Sequence, residues 1–210
     1  LYLSGKRYQR QFFDGGDTLY NELAYRQFRE ALELEPDYAN AMVGLAWAYN
    51  SKSYYGSKSH LYNDSALLYI DHAIDINPNL SESYVFLGFF YRYDKEDVDK
   101  SINAFKMAAE LNPNDFYSLG IIGESYIDEK KFDMASEYLI KAFKINHSDV
   151  IPGYENANEL HISNFISQLM CDAGMFKEAE QFERQLLEYY PDRSHAFLGH
   201  ISLRQGKFKE

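Results

Sequence analysis

The sequence predicts an all-α chain, a solenoid of stacked helix hairpins, on three observations. Prolines recur at Pro36, Pro78 and Pro113, 42 and 35 residues apart; His147 stands 34 residues further on and Pro191 a further 44. Ala stands five residues before each of the first three prolines, at Ala31, Ala73 and Ala108, and small residues follow the joints eight to ten positions on: Gly44, Ala46, Gly88, Gly123 and Gly199. Between the joints, apolar residues recur at three- and four-residue spacing, the mark of amphipathic helices that each bury one face.

Each repeating unit is then two antiparallel helices, A and B, and their small residues say where the two touch. Gly5, Ala46, Gly88 and Gly123 fall late in helix A and allow helix B to come close. Ala24, Ala66, Ser101, Ala135 and Ala179 fall early in helix B and receive it. Ala31, Ala73, Ala108 and Ala142 fall near the end of helix B, where the next unit's helix A must approach. Proline then ends helix B, because it pushes the residue before it out of the helical region and cannot extend the hydrogen-bond ladder. The Asp or Asn beside it suits the helix start that follows.

A period near 34 with these residues resembles the tetratricopeptide repeat, or TPR, over nearly the whole chain. That resemblance implies a right-handed α-solenoid of about five repeats plus a partial sixth. Residues 1–147 read as units one to four, 148–158 as an irregular connector around Pro152-Gly153, and 159–210 as unit five and the partial sixth, stacked as one continuous array. The longer spacings locate insertions. "FDGGDTLY" in unit one holds a turn at Gly15-Gly16, and "SKSYYGSKSHLYND" (51–64) in unit two is a loop or an extra turn on each helix. Unit five departs from the consensus, with Leu186 for the expected Ala and Met170 for the expected Tyr. Tyr8, Tyr49, Tyr91 and Tyr126 fall at a consensus packing position, so much of the excess of 19 tyrosines is expected in the core.

The resemblance also implies a binding surface, the concave groove that helix A lines in such repeats. Its positions here are Lys6 and Arg10 in unit one and Asn40, Val43, Trp47 and Asn50 in unit two. Unit three supplies Glu82, Phe89, Arg92 and Tyr93, and unit four Tyr117, Glu124 and Asp128. His161, Asn164, Gln168, Cys171 and Asp172 follow in unit five. Trp47, Phe89, Tyr93 and Tyr117 form an aromatic centre of the kind that dominates binding hot spots, unless the next helix or the unit-two insertion covers it. The fifth/ninth pairs Tyr2/Lys6, Val43/Trp47, Val85/Phe89, Gly120/Glu124 and Asn164/Gln168 do not match the chaperone-binding carboxylate clamp.

Composition narrows the function. The net charge of −11 opposes general binding to nucleic acid or anionic membranes, although the first ten residues carry Lys6, Arg7 and Arg10 with no acid. No apolar run approaches the roughly 20 residues that a membrane helix needs, so no membrane insertion is expected. One cysteine, Cys171, excludes an internal disulfide framework. The six histidines show no metal-ligand spacing, "DGGD" lacks the context of a phosphate cradle, and Asp97 and Asp99 read as a solvated helix end. No cofactor, metal or catalytic residue is expected. Leu1 in place of Met, and a last stretch "RQGKFKE" that stops within the pattern, read as an excerpt from a longer protein.

The expected function is therefore non-catalytic: a protein–protein interaction scaffold holding a peptide or partner surface. Tyr2-Leu3-Ser4-Gly5-Lys6-Arg7-Tyr8 is similar to the opening of TPR arrays in bacterial multidomain signalling regulators. That implies a cytoplasmic, regulatory role. The alternatives are small-molecule or glycan binding on Trp47 and Tyr117, or self-association into a homodimer through unit six or Tyr54, Tyr55 and Tyr62. With Trp47 as a central hot spot, Trp47→Ala lowers partner affinity by about 2 kcal/mol or more and leaves the helical circular-dichroism signal intact. Unfolding of the variant would instead put Trp47 in the core.

Overall fold

The computed structural model describes residues 1–55, 59–146, 167–168, 170–171, 174–187 and 191–206, helical with short joints and no strand among them. They form two compact units, Leu1–Asn112 and Pro113–Glu210. The first holds three hairpins. These are α1 (Tyr2–Gly15) with α2 (Thr18–Leu34), α3 (Ala39–Tyr55) with α4 (Ser59–Ile76), and α5 (Ser81–Phe89) with α6 (Val98–Leu111). The second holds α7 (Phe116–Asp128) with α8 (Phe132–Asn146), then α9 (Phe176–Leu186) and α10 (Pro191–Arg204). The solenoid of helix hairpins is the expected fold class, while the connector at 148–158 and positions His161, Asn164 and Asp172 lie outside the described residues.

The proline joints form as their chemistry requires. Glu35 and Asn112, each just before a proline, have extended backbones (φ −137° and −131°). Their N–H groups still donate to the carbonyls of Ala31 and Ala108 at 2.9 Å, and Asn77 does the same to Ala73. Carboxylates then cap several of the helices. Asp17 accepts from the N–H of Leu19 (2.9 Å), Asp97 from Lys100 (3.1 Å) and Asp115 from Ser118 (3.2 Å). In unit one the turn falls a residue later than its two glycines suggest. Gly15 is the last residue of α1, and Gly16 supplies the left-handed cap at φ 71°. The unit-two insertion lengthens the helices, since α3 runs to Tyr55 and α4 starts at Ser59.

The small residues are where the helices meet. Ala24, Ala46, Ala66, Ala73, Ala108, Ala135 and Ala179 are wholly inaccessible. The contact is tightest at the glycines. Phe28 of α2 is wedged between two helix A backbones, its ring 2.6 Å from where a Cβ on Gly5 would stand and 2.5 Å from one on Gly44. The Phe105 ring approaches Gly88 to 2.7 Å and Leu139 approaches Gly123 to 2.5 Å by the same measure. Gly199 breaks this pattern: it is exposed, and a Cβ there would meet no described atom within 4 Å.

Three of the four tyrosines at the ends of helix A pack against tyrosines of the following helix B, and Tyr91 meets Phe90 instead. Tyr8 stacks on Tyr20 (6.4 Å), Tyr49 on Tyr69 (5.8 Å), and Tyr126 meets Tyr138 (5.7 Å). Burial raises the Tyr49 phenol above its usual range, and the hydrogen bond with Tyr25 adds to this. In the second unit, α8, α9 and α10 share one core in which Phe143 meets Phe182 at 5.1 Å. The turn of unit five repeats that of unit four. Lys131 N–H donates to the Tyr126 carbonyl and Met175 N–H to that of Met170, both at 2.8 Å, so Met170 does hold the tyrosine's place.

Gly44→Ala would drive a methyl into the Phe28 ring. The cost of overpacking, about 1–3 kcal/mol, exceeds the gain of about 1 kcal/mol in helix propensity. A lower denaturation midpoint is expected, with partial recovery when Phe28→Leu is added. An unchanged midpoint in Gly44→Ala would show that Phe28 moves aside freely.

Candidate functional site

Within the first unit, the expected site residues fall on the helices α1, α3 and α5 and on the turn that extends α5. Tyr2 starts the face. Its phenol hydrogen-bonds to Asn40 and its ring meets Tyr38 at 5.1 Å. Burial holds that phenol above its usual range, the Asn40 bond opposes the shift, and the nearby Glu82 carboxylate adds to it. Glu82 itself is exposed in the first turn of α5. One turn along α1, Lys6 is exposed. Gln9 is buried instead and donates to the Gly44 carbonyl at 3.5 Å, tying α1 to α3. Val43, 4% exposed, belongs to the core and offers a ligand almost no surface.

Trp47 is the centre of a run of rings. Phe13 of α1 meets it at 5.9 Å, and Phe86 and Phe89 of α5 meet it at 5.0 and 5.6 Å, all edge to face. Phe89 in turn stands edge-on to Phe105 (5.1 Å) and stacks on Tyr93 at 6.0 Å with 10° between the planes. Trp47 and Phe89 are half-buried, while Phe13 and Tyr93, at the two ends, are each 55% exposed. Edge-to-face and offset arrangements are the ones that ring quadrupoles favour. Trp47→Ala therefore removes three ring contacts as well as any contact with a ligand. Phe13 and Tyr93 can be truncated with far less damage to the fold.

The end of this face departs from the α-helix. After Phe89 the chain winds through a π-helical turn, Phe90–Asp94, that carries Arg92 and Tyr93. Such turns are rare and frequently found at functional sites. A polar triangle holds this one. Asn63 of α4 donates to one Asp94 oxygen at 2.8 Å, and Asn50 of α3 donates to the other at 3.1 Å and to the Asn63 carbonyl oxygen at 3.4 Å. Asn50 thus works inside the molecule. The Arg92 guanidinium lies 5.8 Å from the centre of the Tyr93 ring.

In the second unit, Tyr117 (52% exposed), Glu124 and Asp128 share a stripe of α7 with Gly120, where a Cβ would meet no described atom within 4 Å. Glu124 is half-buried and Asp128 exposed. Cys171 and Ser167 are buried there, and Ser167 hydrogen-bonds to the buried Glu183 carboxylate. Among the described residues no group of three or more His, Cys, Asp or Glu side chains could hold a metal ion.

The tetratricopeptide-repeat model matches residues 117–149, which span the α7–α8 hairpin. That hairpin matches a tetratricopeptide repeat. The fold of the chain resembles that of MamA, at 17% identity and a TM-score of 0.58 over 88% of this chain and 95% of that one. It resembles as well PilW, described as a widely conserved type IV pilus biogenesis factor, at 16% identity and a TM-score of 0.60 over 98% and 86%. No curated protein sequence matches the chain significantly. Among the described residues no helix is long and apolar enough to cross a membrane.

Two site residues escape the sequence pattern. Phe13 could be found, since it lies three residues after Arg10 and seven after Lys6 on one helical face. Asp94 could not, because its partners stand 31 and 44 residues away on two other helices. Asp94→Ala takes from the Asn63 amide its acceptor and from the Asn50 amide the nearer of two, at a cost of about 1–3 kcal/mol in denaturant unfolding. Asp94→Asn is expected to fall between the variant and the parent. Equal stability of all three proteins would remove the triangle from any role in holding the turn.

Proposed function

We propose that this chain is a non-catalytic protein-interaction scaffold that holds a peptide or partner surface against the A-helix face of its first unit. TPR proteins are generally scaffolds of this kind, and stacked hairpins present extended surfaces suited to it. One observation carries the assignment to this face: the ring run from Phe13 through Trp47 and Phe89 to Tyr93, half-buried in the middle and open at both ends. Rings fixed by their neighbours lose little entropy when a ligand covers them, and aromatic and arginine side chains supply most hot spots. The wider reading is that the repeats work as one array, with Tyr117, Glu124 and Asp128 continuing the surface. In that reading the chain is the regulatory, cytoplasmic part of a larger bacterial signalling protein. The Tyr2–Tyr8 motif supports it.

The test is selection from a displayed library of random peptides against the 210-residue chain, followed by affinity measurements on purified variants. Selected peptides are expected to lose about tenfold or more in affinity, at least 1.4 kcal/mol, on Phe13→Ser/Tyr93→Ser with the unfolding midpoint kept. Peptides that bind this folded variant as well as the parent would place the binding surface elsewhere.

A further inference from the structure

We infer that the occupant of this face is an acidic peptide segment carrying a large apolar side chain, which rests on the interaction reading above and gives its partner a chemistry. Charge is distributed unevenly in the first unit. The helices α1, α3 and α5, with the π turn, carry five basic and three acidic residues, whereas α2, α4 and α6 carry four basic and eight acidic. In a chain of net charge −11, the A-helices of this unit are the positive ones.

The disposition of the individual groups sharpens this imbalance around the rings. Lys52 is taken up elsewhere, with its ammonium 2.7 Å from Glu22 of α2 and 3.6 Å from the centre of the Tyr25 ring. Both oxygens of Asp94 accept from asparagine amides, so that carboxylate is turned into the protein. Glu82 lies near Tyr2, at the opposite end of the face from Phe13 and Tyr93. Lys6 and Arg10 are exposed on the α1 stripe that leads to Phe13, with Asp14 just beyond it, and Arg92 lies over Tyr93. Phe13 is thus reached along a stripe of two exposed cations on its own helix. An aromatic or large aliphatic side chain set on the rings would bring flanking carboxylates to Lys6 and Arg10. Arginine's planar fork suits that pairing.

A basic segment would face Lys6 and Arg10 directly, and like charges brought together at an interface cost affinity. Single-stranded nucleic acid can use rings and cations in the same way, so oligouridylate is the competing probe in the test below.

Trp47 is the only tryptophan in the chain, so its fluorescence reports on this face alone. The probes are three synthetic heptapeptides, blocked at both ends. Asp-Glu-Phe-Asp-Phe-Glu-Asp is compared with a form carrying Lys at every acidic position and a form carrying Ser at both Phe positions. The acidic phenylalanine peptide is expected to shift Trp47 emission saturably, and to bind about tenfold or more weakly in high salt. The same loss is expected with Lys6→Glu/Arg10→Glu, exposed changes that leave the circular dichroism unaltered. The lysine and serine forms are expected to bind at least tenfold more weakly than the parent peptide. Equal binding of either form would overturn the inference, as would a Trp47 response to oligouridylate or a malto-oligosaccharide but not to the acidic peptide. Library peptides that need Phe13 and Tyr93 but contain no acids would overturn it as well, and would leave the interaction reading standing.

Discussion

The first unit depends on a ring meeting a backbone. Phe28 lies between Gly5 and Gly44, closer to both than any side chain at those positions would permit. Because Gly5 belongs to the first hairpin and Gly44 to the second, one side chain closes its own hairpin and joins it to the next. Phe105 against Gly88 and Leu139 against Gly123 repeat the closing half of this arrangement. Truncation of a large buried ring such as this costs about 3–5 kcal/mol. Stability in such a stack is shared between neighbours rather than stored in one centre.

This packing fixes what the A-helix face can present. Helix A turns its small residues and tyrosines toward helix B, and whatever remains faces away. Val43 and Gln9 show how narrow the division is. Val43 falls at a position of the expected groove and Gln9 next to another, Arg10, yet one packs into the core and the other donates its amide to α3. Phe13, Trp47, Phe89 and Tyr93 have the bulk to reach over the packed layer and keep part of their surface open.

The fold was legible in the sequence because its determinants are local and repeated. Ala31 with Pro36, or Gly88 with Ser101, constrain the backbone within one hairpin, and each recurs often enough to be read as a pattern. Met170 could be assigned as a tyrosine's replacement for the same reason. The site was legible only where it follows the period. Trp47 and Phe89 were read as ring positions, but how far Trp47 is covered depends on Phe13 and Phe86 and how far Phe89 is covered depends on Phe105, all on other helices. The Asn50–Asn63–Asp94 triangle carries no periodic signal, since it pairs polar residues across three helices at one place only.

The π turn at Phe90–Asp94 also accounts for a number in the sequence. Pro78 and Pro113 are 35 residues apart, whereas Pro113 and His147 are 34 apart. In unit four the Tyr126 carbonyl accepts from Lys131, five residues on, and in unit three the equivalent Tyr91 carbonyl accepts from Asp97, six residues on. The surplus residue therefore lies between Tyr91 and Asp97, and the wider turn takes it up before the next helix begins. An extra residue in an α-helix would rotate everything after it by about 100°, and α6 would present the wrong side to Gly88. Here the insertion is absorbed in the turn that carries Arg92 and Tyr93, and Phe105 still packs on Gly88. A repeat protein can in this way gain a new outward-facing side chain by a single-codon insertion, without renegotiating the contacts that hold its helices together.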